Sequence, residues 1–332
     1  MDNVESGNDR IDRDDFLEMS QKISTLKNEI SKAFIGQEEM LNHVIMTLLA
    51  GGHLLVEGVP GLGKTLLVKA LAKAIGGSSN RIQFTPDLMP SDITGHVMYE
   101  ALKGSFTTRK GPVFTNILIA DELNRAPAKT QSALFEAMQE YQVSLDGTTY
   151  DLPSPFLTLA TQNPFEHEGT YPLPDAQKDR FLMKVLLDYP DIKEEKDMVN
   201  MVAANKVGVG LNTEMVLQVL SPDKLIELQQ MCRLCRVDES ILDYAVRLVR
   251  TSREHPAIET GAGPRAGLAL IAVAKASAFI DGREYVLPED VKYPAAAVLR
   301  HRIILTPESE IEGFTEDTVI DLILQKTEAP RE

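Results

Sequence analysis

The stretch Gly58-Val59-Pro60-Gly61-Leu62-Gly63-Lys64-Thr65 decides the reading of this chain. It matches G-x-x-x-x-G-K-[ST], the pattern of a phosphate-cradling loop. Its flanks are the ones such a loop needs. His53-Leu54-Leu55-Val56-Glu57 predicts a short buried strand before it. Leu66 to Ile75 predicts a helix after it, with Leu67, Ala70, Leu71, Ala74 and Ile75 on one face. Each residue type has a physical task. The glycines let backbone N–H groups close around phosphate oxygens, some at positive φ. The helix start adds unpaired N–H groups and a positive dipole end. Lys64 would reach the β- and γ-phosphates of a nucleotide, and the Thr65 hydroxyl would bind Mg²⁺. The bland alternative is a glycine-rich turn with an exposed lysine. The full pattern between strand and helix disfavours it.

Working outward, Ile117-Leu118-Ile119-Ala120-Asp121-Glu122 supplies what a phosphate loop needs beside it. Four apolar residues in a row predict a strand buried on both faces, as in a parallel sheet. Strand ends in such sheets converge on the ligand crevice. Asp121 would hold Mg²⁺ through water, and Glu122 would orient and deprotonate the attacking water. The alternative for this acidic pair is helix capping. Asn163 ends the next predicted strand, Phe156 to Thr161, and would hold the lytic water or sense the γ-phosphate; Asn-Pro alone is a turn signal. Gly263-Pro264-Arg265 opens a helix. A cation in a first turn opposes the dipole at a cost of about 0.3–1 kcal/mol. The placement makes sense if Arg265 meets an anion such as a nucleotide phosphate, and otherwise Arg265 is solvated. Arg180 precedes the last predicted strand, Phe181 to Leu187. Composition alone does not single it out.

Length and composition bound the rest. A chain of 332 residues has room for about two domains. With 43% hydrophobic and 25% charged residues it reads as an ordinary globular protein. The net charge of −15 argues against broad contact with nucleic acid. Met1 to Asp15 has no apolar signal core, and no run of about 18 apolar residues follows, so no membrane insertion and a cytoplasmic location are expected. The two cysteines, Cys232 and Cys235, fall at helical spacing with Leu225 and Leu228, which predicts burial rather than redox or metal work.

Along the chain, residues 1–15 are expected to be disordered. Helices are expected from Phe16 and from Met40, separated by Ile35-Gly36-Gln37. Further strands are read at Arg81–Phe84 and Val113–Asp121, a helix start at Ser91, a helix over 128–140, and a hairpin turn at Asp146-Gly147. Tyr99–Lys110 reads as an exposed insertion. Beyond Pro190 the patterns are helical, at 193–204, 222–235, 238–252, 264–280 and 288–300. The expected architecture is therefore an α/β domain over 16–190 and an all-helical one over 191–332.

These phrases together resemble the AAA+ ATPases, and more closely the MoxR family, over roughly residues 20 to 305. The resemblance rests on Val56 to Thr65, Phe84 to Gly95, Gly111-Pro112-Val113-Phe114, Asp121 to Pro127, Asn163-Pro164, Asp175 to Phe181 and Gly263 to Ala266. Lys178 and His96 stand where less polar or smaller residues were expected. The resemblance implies a P-loop parallel-sheet domain followed by a smaller helical lid. It implies a Mg²⁺-dependent ATPase that forms a ring, usually hexameric, with ATP between subunits. Gly58 to Leu66, Asp121 and Arg265 would bind the nucleotide, and Ile35-Gly36-Gln37 would pack near adenine. Asn163 becomes the first sensor residue, Arg265 the second, and Arg180 a finger that enters the neighbour's site. The family is thought to help complexes assemble or metal cofactors insert, with partners that carry a von Willebrand factor A domain. A motor or loader on nucleic acid is the alternative reading.

Overall fold

The computed structural model describes residues 13–34, 36–58, 63–102, 104–163, 171–189, 191–204 and 213–330. Two helices open it, α1 (Arg13–Ser31) and α2 (Glu38–Ala50). Next come β1 (Leu54–Gly58), α3 (Lys64–Ala74), β2 (Ser79–Gln83) and α4 (Pro90–Thr94). A hairpin of β3 (Gly95–Glu100) and β4 (Ser105–Lys110) leads to β5 (Ile117–Asp121) and α5 (Ala128–Glu140). A second hairpin, β6 (Gln142–Leu145) and β7 (Thr148–Asp151), precedes β8 (Leu157–Gln162), α6 (Asp175–Lys178) and β9 (Met183–Leu187). The rest is α7 (Ile192–Ala204), α8 (Pro222–Arg233), α9 (Glu239–Glu254), β10 (Ile258–Thr260), α10 (Pro264–Ile280), α11 (Pro288–Lys292), α12 (Ala295–Leu299), β11 (Ile304–Leu305), α13 (Pro307–Ile311) and α14 (Glu316–Lys326).

Among the described residues the main sheet has the order β2-β5-β8-β1-β9, and every pairing is parallel. Its apolar runs are buried on both faces, as parallel strands require. The side chains alternate between two cores. Leu54, Val56, Ile117, Ile119, Leu157 and Leu159 face one core, shared with α1, α2, α3 and the helices after residue 215. Leu55, Leu118, Ala120 and Ala160 face the other, shared with α5 and both hairpins. The first core is continuous from the chain's start into its lid. Phe16 of α1 meets Phe279 of α10 edge to face at 5.0 Å, and Gln229 of α8 donates to Leu48 O of α2 at 2.6 Å. Side-chain oxygens fix where four lid helices begin. Ser221, Asp238, Thr306 and Thr315 accept from the N–H groups of Lys224, Ser240, Ser309 and Thr318. Each such cap is worth about 1 kcal/mol.

Several expectations need correction. α1 begins at Arg13, so Arg13, Asp14 and Asp15 are helical where disorder was expected, and the two aspartates favour a helix first turn. Residues 1–12 lie outside the described residues. The helical lid expected after residue 190 also carries a short ribbon, in which β10 and β11 pair antiparallel. Strands of three and two residues are too short to leave a periodic signal. The helix expected over 288–300 is split at Tyr293-Pro294, since Pro294 has no N–H to give to the preceding turn. The strand expected from Val113 starts only at Ile117. The insertion at Tyr99–Lys110 is hairpin β3–β4. Cys232 and Cys235 are buried, at 2% and 1% exposure, as expected. Burial pushes the Cys235 thiol up to about 11 and the Cys232 thiol higher still. Among the described residues no cluster of His, Cys, Asp or Glu is placed to hold a metal ion, and no helix is long and apolar enough to cross a membrane.

Among the described residues three histidines are buried. Burial lowers His43 and His53 to about 4, and His301 well below its ordinary value. The unfolded chain would take up these protons near pH 6.5. The folded chain refuses them until much lower pH, so it loses stability as pH falls through that window. By pH 5 the loss is about 2 kcal/mol for each of His43 and His53. The urea midpoint should be level above pH 7 and should fall between pH 6.5 and 5. A level midpoint across that lower range would contradict the assignment.

Candidate nucleotide site at the carboxyl edge of the sheet

Strands β5, β8 and β1 are neighbours and run the same way. Their carboxyl ends therefore bring Asp121-Glu122, Gln162-Asn163 and Gly58 to one edge. There they line a cleft of about 290 Å³ together with Gly63, Lys64 and Thr65. Gly58 is required by close approach: a Cβ there would lie 2.3 Å from Leu187 O on β9. Gly63 has φ +77° and caps α3, a conformation that glycine adopts without strain. Leu66 follows in the first turn of α3 and is half-buried. Val59, Pro60, Gly61 and Leu62 lie outside the described residues, as does Ile35. Gly36 and Gln37 sit close by, since the Phe34 ring is 3.4 Å from where a Gly63 Cβ would stand. The Gln37 N–H donates to Glu194 Oε1 on α7 at 3.0 Å.

The cleft is charged and organised. Lys64 Nζ donates to Gly58 O at 3.4 Å. Burial lowers the Lys64 pKa, and the carboxylates of Asp121 and Glu122 oppose that shift. Both Asp121 oxygens are engaged. Oδ1 accepts from Thr161 Oγ1 at 2.6 Å, and Oδ2 accepts from Arg81 Nη2 at 2.6 Å and Nε at 3.1 Å. Glu122 Oε2 accepts from Gln83 Nε2 at 2.7 Å and Arg125 Nη1 at 3.0 Å. Glu122 has φ +56°, the left-handed region that a residue with a side chain seldom enters. Its N–H donates to Thr161 Oγ1 at 2.9 Å, so the strain is held by hydrogen bonds on both its backbone and its side chain. The Thr65 hydroxyl and the Asp121 carboxylate are the hard oxygen donors that Mg²⁺ takes. Thr65 and Asp121 line the same cleft, so the residues fit that ion.

The structure does not bring Arg180 and Arg265 to this cleft. Both line a groove with Gly51, His53 and Tyr141, which lie before β1 and after α5. That is the amino edge of the sheet. Strands of five residues separate the two edges by about 16 Å. An arginine side chain cannot span that distance, so the expectation that Arg265 meets a phosphate does not hold for its own chain's cleft. The two arginines instead flank Asp179: Arg265 Nη1 is 3.8 Å from its Oδ2.

Comparison with known proteins agrees with this geometry. Residues 53–183 match the model of the ATPase family associated with various cellular activities, and residues 250–323 match an AAA lid domain. The chain is 42% identical to the chaperone MoxR1 of Mycobacterium tuberculosis, over 94% of this chain and 84% of that protein. It is 43% identical to the YeaC protein of Bacillus subtilis, over 91% of this chain and 92% of that one. A solved structure from Cytophaga hutchinsonii superposes with a TM-score of 0.89 at 44% identity, covering 96% and 98% of the two chains. The chain belongs to the MoxR family of AAA+ ATPases.

Family membership carries nucleotide binding and ATPase activity in general. In this MoxR-family cleft, sequence reasoning missed Arg81, Gln83, Thr161 and Arg125. A signal for two of them exists. Arg81 and Gln83 are alternate residues of β2, and Gln83 pairs in register with Asp121. Thr161 is buried and reads as one more strand residue, although its hydroxyl joins the Asp121 carboxylate to the backbone N–H of Glu122. Thr161→Val keeps the shape and removes that hydroxyl. It should lower stability by about 1 kcal/mol, because two half-buried groups lose their partner. Urea unfolding of the variant checks this, and an unchanged midpoint would show that the hydroxyl is not needed.

Proposed function

We propose that this protein hydrolyses ATP at the boundaries between copies of itself in a ring, and uses the cycle to remodel protein clients. Lys64 and the loop from Gly58 to Leu66 hold the β- and γ-phosphates. Thr65 and Asp121 hold Mg²⁺, which when bound neutralises charge on those oxygens. Glu122 orients the attacking water and takes its proton, and Asn163 steadies the same water from the next strand. Gly36-Gln37 borders the base. Arg180 and Arg265 reach the next copy's cleft, where a cation stabilises charge that develops during phosphoryl transfer.

The observation that carries this reading is the position of the two arginines, on the edge of the sheet opposite the cleft of their own chain. Ring formation reconciles the two edges by laying one against the other. A hexamer fits the family resemblance, as do a von Willebrand factor A partner and a role in complex assembly or cofactor insertion in the cytoplasm. The net charge of −15 weighs against a nucleic-acid substrate.

Lys64→Ala should lose ATP binding, because it removes the ammonium group from the phosphates; titration with a fluorescent ATP analogue reads it, and unchanged affinity would refute it. Arg180→Ala should bind ATP but lose about 10³–10⁵ in rate, the usual worth of a finger given in trans. Glu122→Gln should also bind ATP and turn over little. Mixed rings of these two should regain hydrolysis at boundaries that pair an intact Glu122 with an intact Arg180. Arg265→Ala should behave as Arg180→Ala does. Mixtures that co-assemble yet stay inactive would rule out the shared site.

A further inference from the structure

Arg302 lies just after α12, and its side chain is only 3% exposed. A buried guanidinium is costly unless its donors are satisfied. Here all three nitrogens are satisfied, and mostly by one short loop. Nε donates to Asp179 Oδ1 at 2.8 Å. Nη2 donates to Phe181 O at 2.6 Å and, more distantly, to Asp179 O at 3.4 Å. Nη1 donates to Leu182 O at 3.1 Å and to Val298 O of α12. The residues it grips, 179 and 181, are the two on either side of Arg180. Its neighbour His301 adds a bond from Nε2 to the same Phe181 O at 3.1 Å.

We infer that Arg302 is a positioning residue for Arg180: a lid guanidinium fixes the backbone on both flanks of the finger and so sets where the finger points. The inference rests on the reading that Arg180 acts on the neighbour's nucleotide. The rest of the loop serves the same end. Phe181 is fully buried, its ring 5.7 Å from that of Phe135. The Arg180 guanidinium lies over that same Phe135 ring, 5.7 Å from its centre. Asp179 balances the charge of Arg302 and stands 3.8 Å from Arg265. With the flanking backbone held by Arg302 and the guanidinium over Phe135, the aim of Arg180 depends on where the lid sits.

A plain lid staple would look different, and one is present for comparison. Arg300 donates to Lys184 O on β9 at 3.0 Å and pairs with Asp317 through two bonds, at 2.8 and 2.9 Å. It ties lid to strand but touches none of residues 179 to 181. Arg300→Gln is therefore the control for structural loss.

The test compares Arg302→Gln, Arg302→Lys and Arg300→Gln in the full chain. Arg302→Gln should bind a fluorescent ATP analogue within about threefold of the unaltered protein, keep its KM, and lose about 10²-fold in kcat, the usual cost of a catalytic group displaced by about 1 Å. In mixed rings it should be rescued by Glu122→Gln, whose finger is intact, and not by Arg180→Ala. Arg300→Gln should lower the melting temperature and keep most of kcat. Where Arg302→Gln fails to fold, Arg302→Lys carries the test, since it keeps the charge and loses the fork. The same loss of kcat at constant KM and the same rescue are expected of it. Near-normal kcat in the folded Arg302 variant would overturn the inference. So would an inactive Arg302 variant that Glu122→Gln does not rescue while it does rescue Arg180→Ala. Failure of the Arg180→Ala and Glu122→Gln pair itself would overturn the reading in trans, and is seen separately.

Discussion

Strand direction is the constraint on which everything else depends. Five strands run parallel, so all their carboxyl ends lie on one edge and all their amino ends on the other. Phosphate loop, acidic pair and Asn163 collect on the first edge because each directly follows a strand. The loop Asp179–Leu182 collects on the second because it precedes one. Nothing about the side chains themselves imposes this division. It follows from backbone pairing and from a strand length of about 16 Å.

Within the cleft the organising atom is a hydroxyl. Thr161 Oγ1 gives its proton to Asp121 and accepts the N–H of Glu122. It thereby links the ends of two strands, and it helps hold Glu122 in a backbone state that costs energy. Gln83 and Arg125 hold the same residue from its side chain. Arg81, Asp121, Thr161, Glu122 and Gln83 thus form one connected polar group. In such groups the loss of one member is felt by the others, and effects do not add.

The sequence was most legible where a residue's task is local. Gly58 to Thr65 shows itself because a loop, a strand and a helix must occur in fixed order. Ile117–Asp121 shows itself because burial on both faces demands an unbroken apolar run. Helix α5 begins and ends where the periodicity places it. Legibility fails where the task is set by a distant partner. Arg81 earns its role only from β5, forty residues on, and Thr161 only from the turn that follows β5. Arg265 shows the same limit. Its dipole argument identifies a cation in search of an anion, but strand direction sets it on the edge away from its own chain's cleft. The short ribbon of β10 and β11 is hidden for a different reason, because five residues cannot establish a period.

The continuous core has a mechanical consequence. α1 and α2 belong to the start of the chain, yet they bury the same apolar surface as α8 and α10 of the lid. Contacts such as Phe16 with Phe279 and Gln229 with Leu48 cross the seam. Swinging the lid away from the sheet inside one chain would open that seam and wet large side chains on both sides. In the ring proposed above, compliance would then fall to the junctions between copies, and a push delivered at one cleft would pass to the next subunit instead of being spent in an internal hinge.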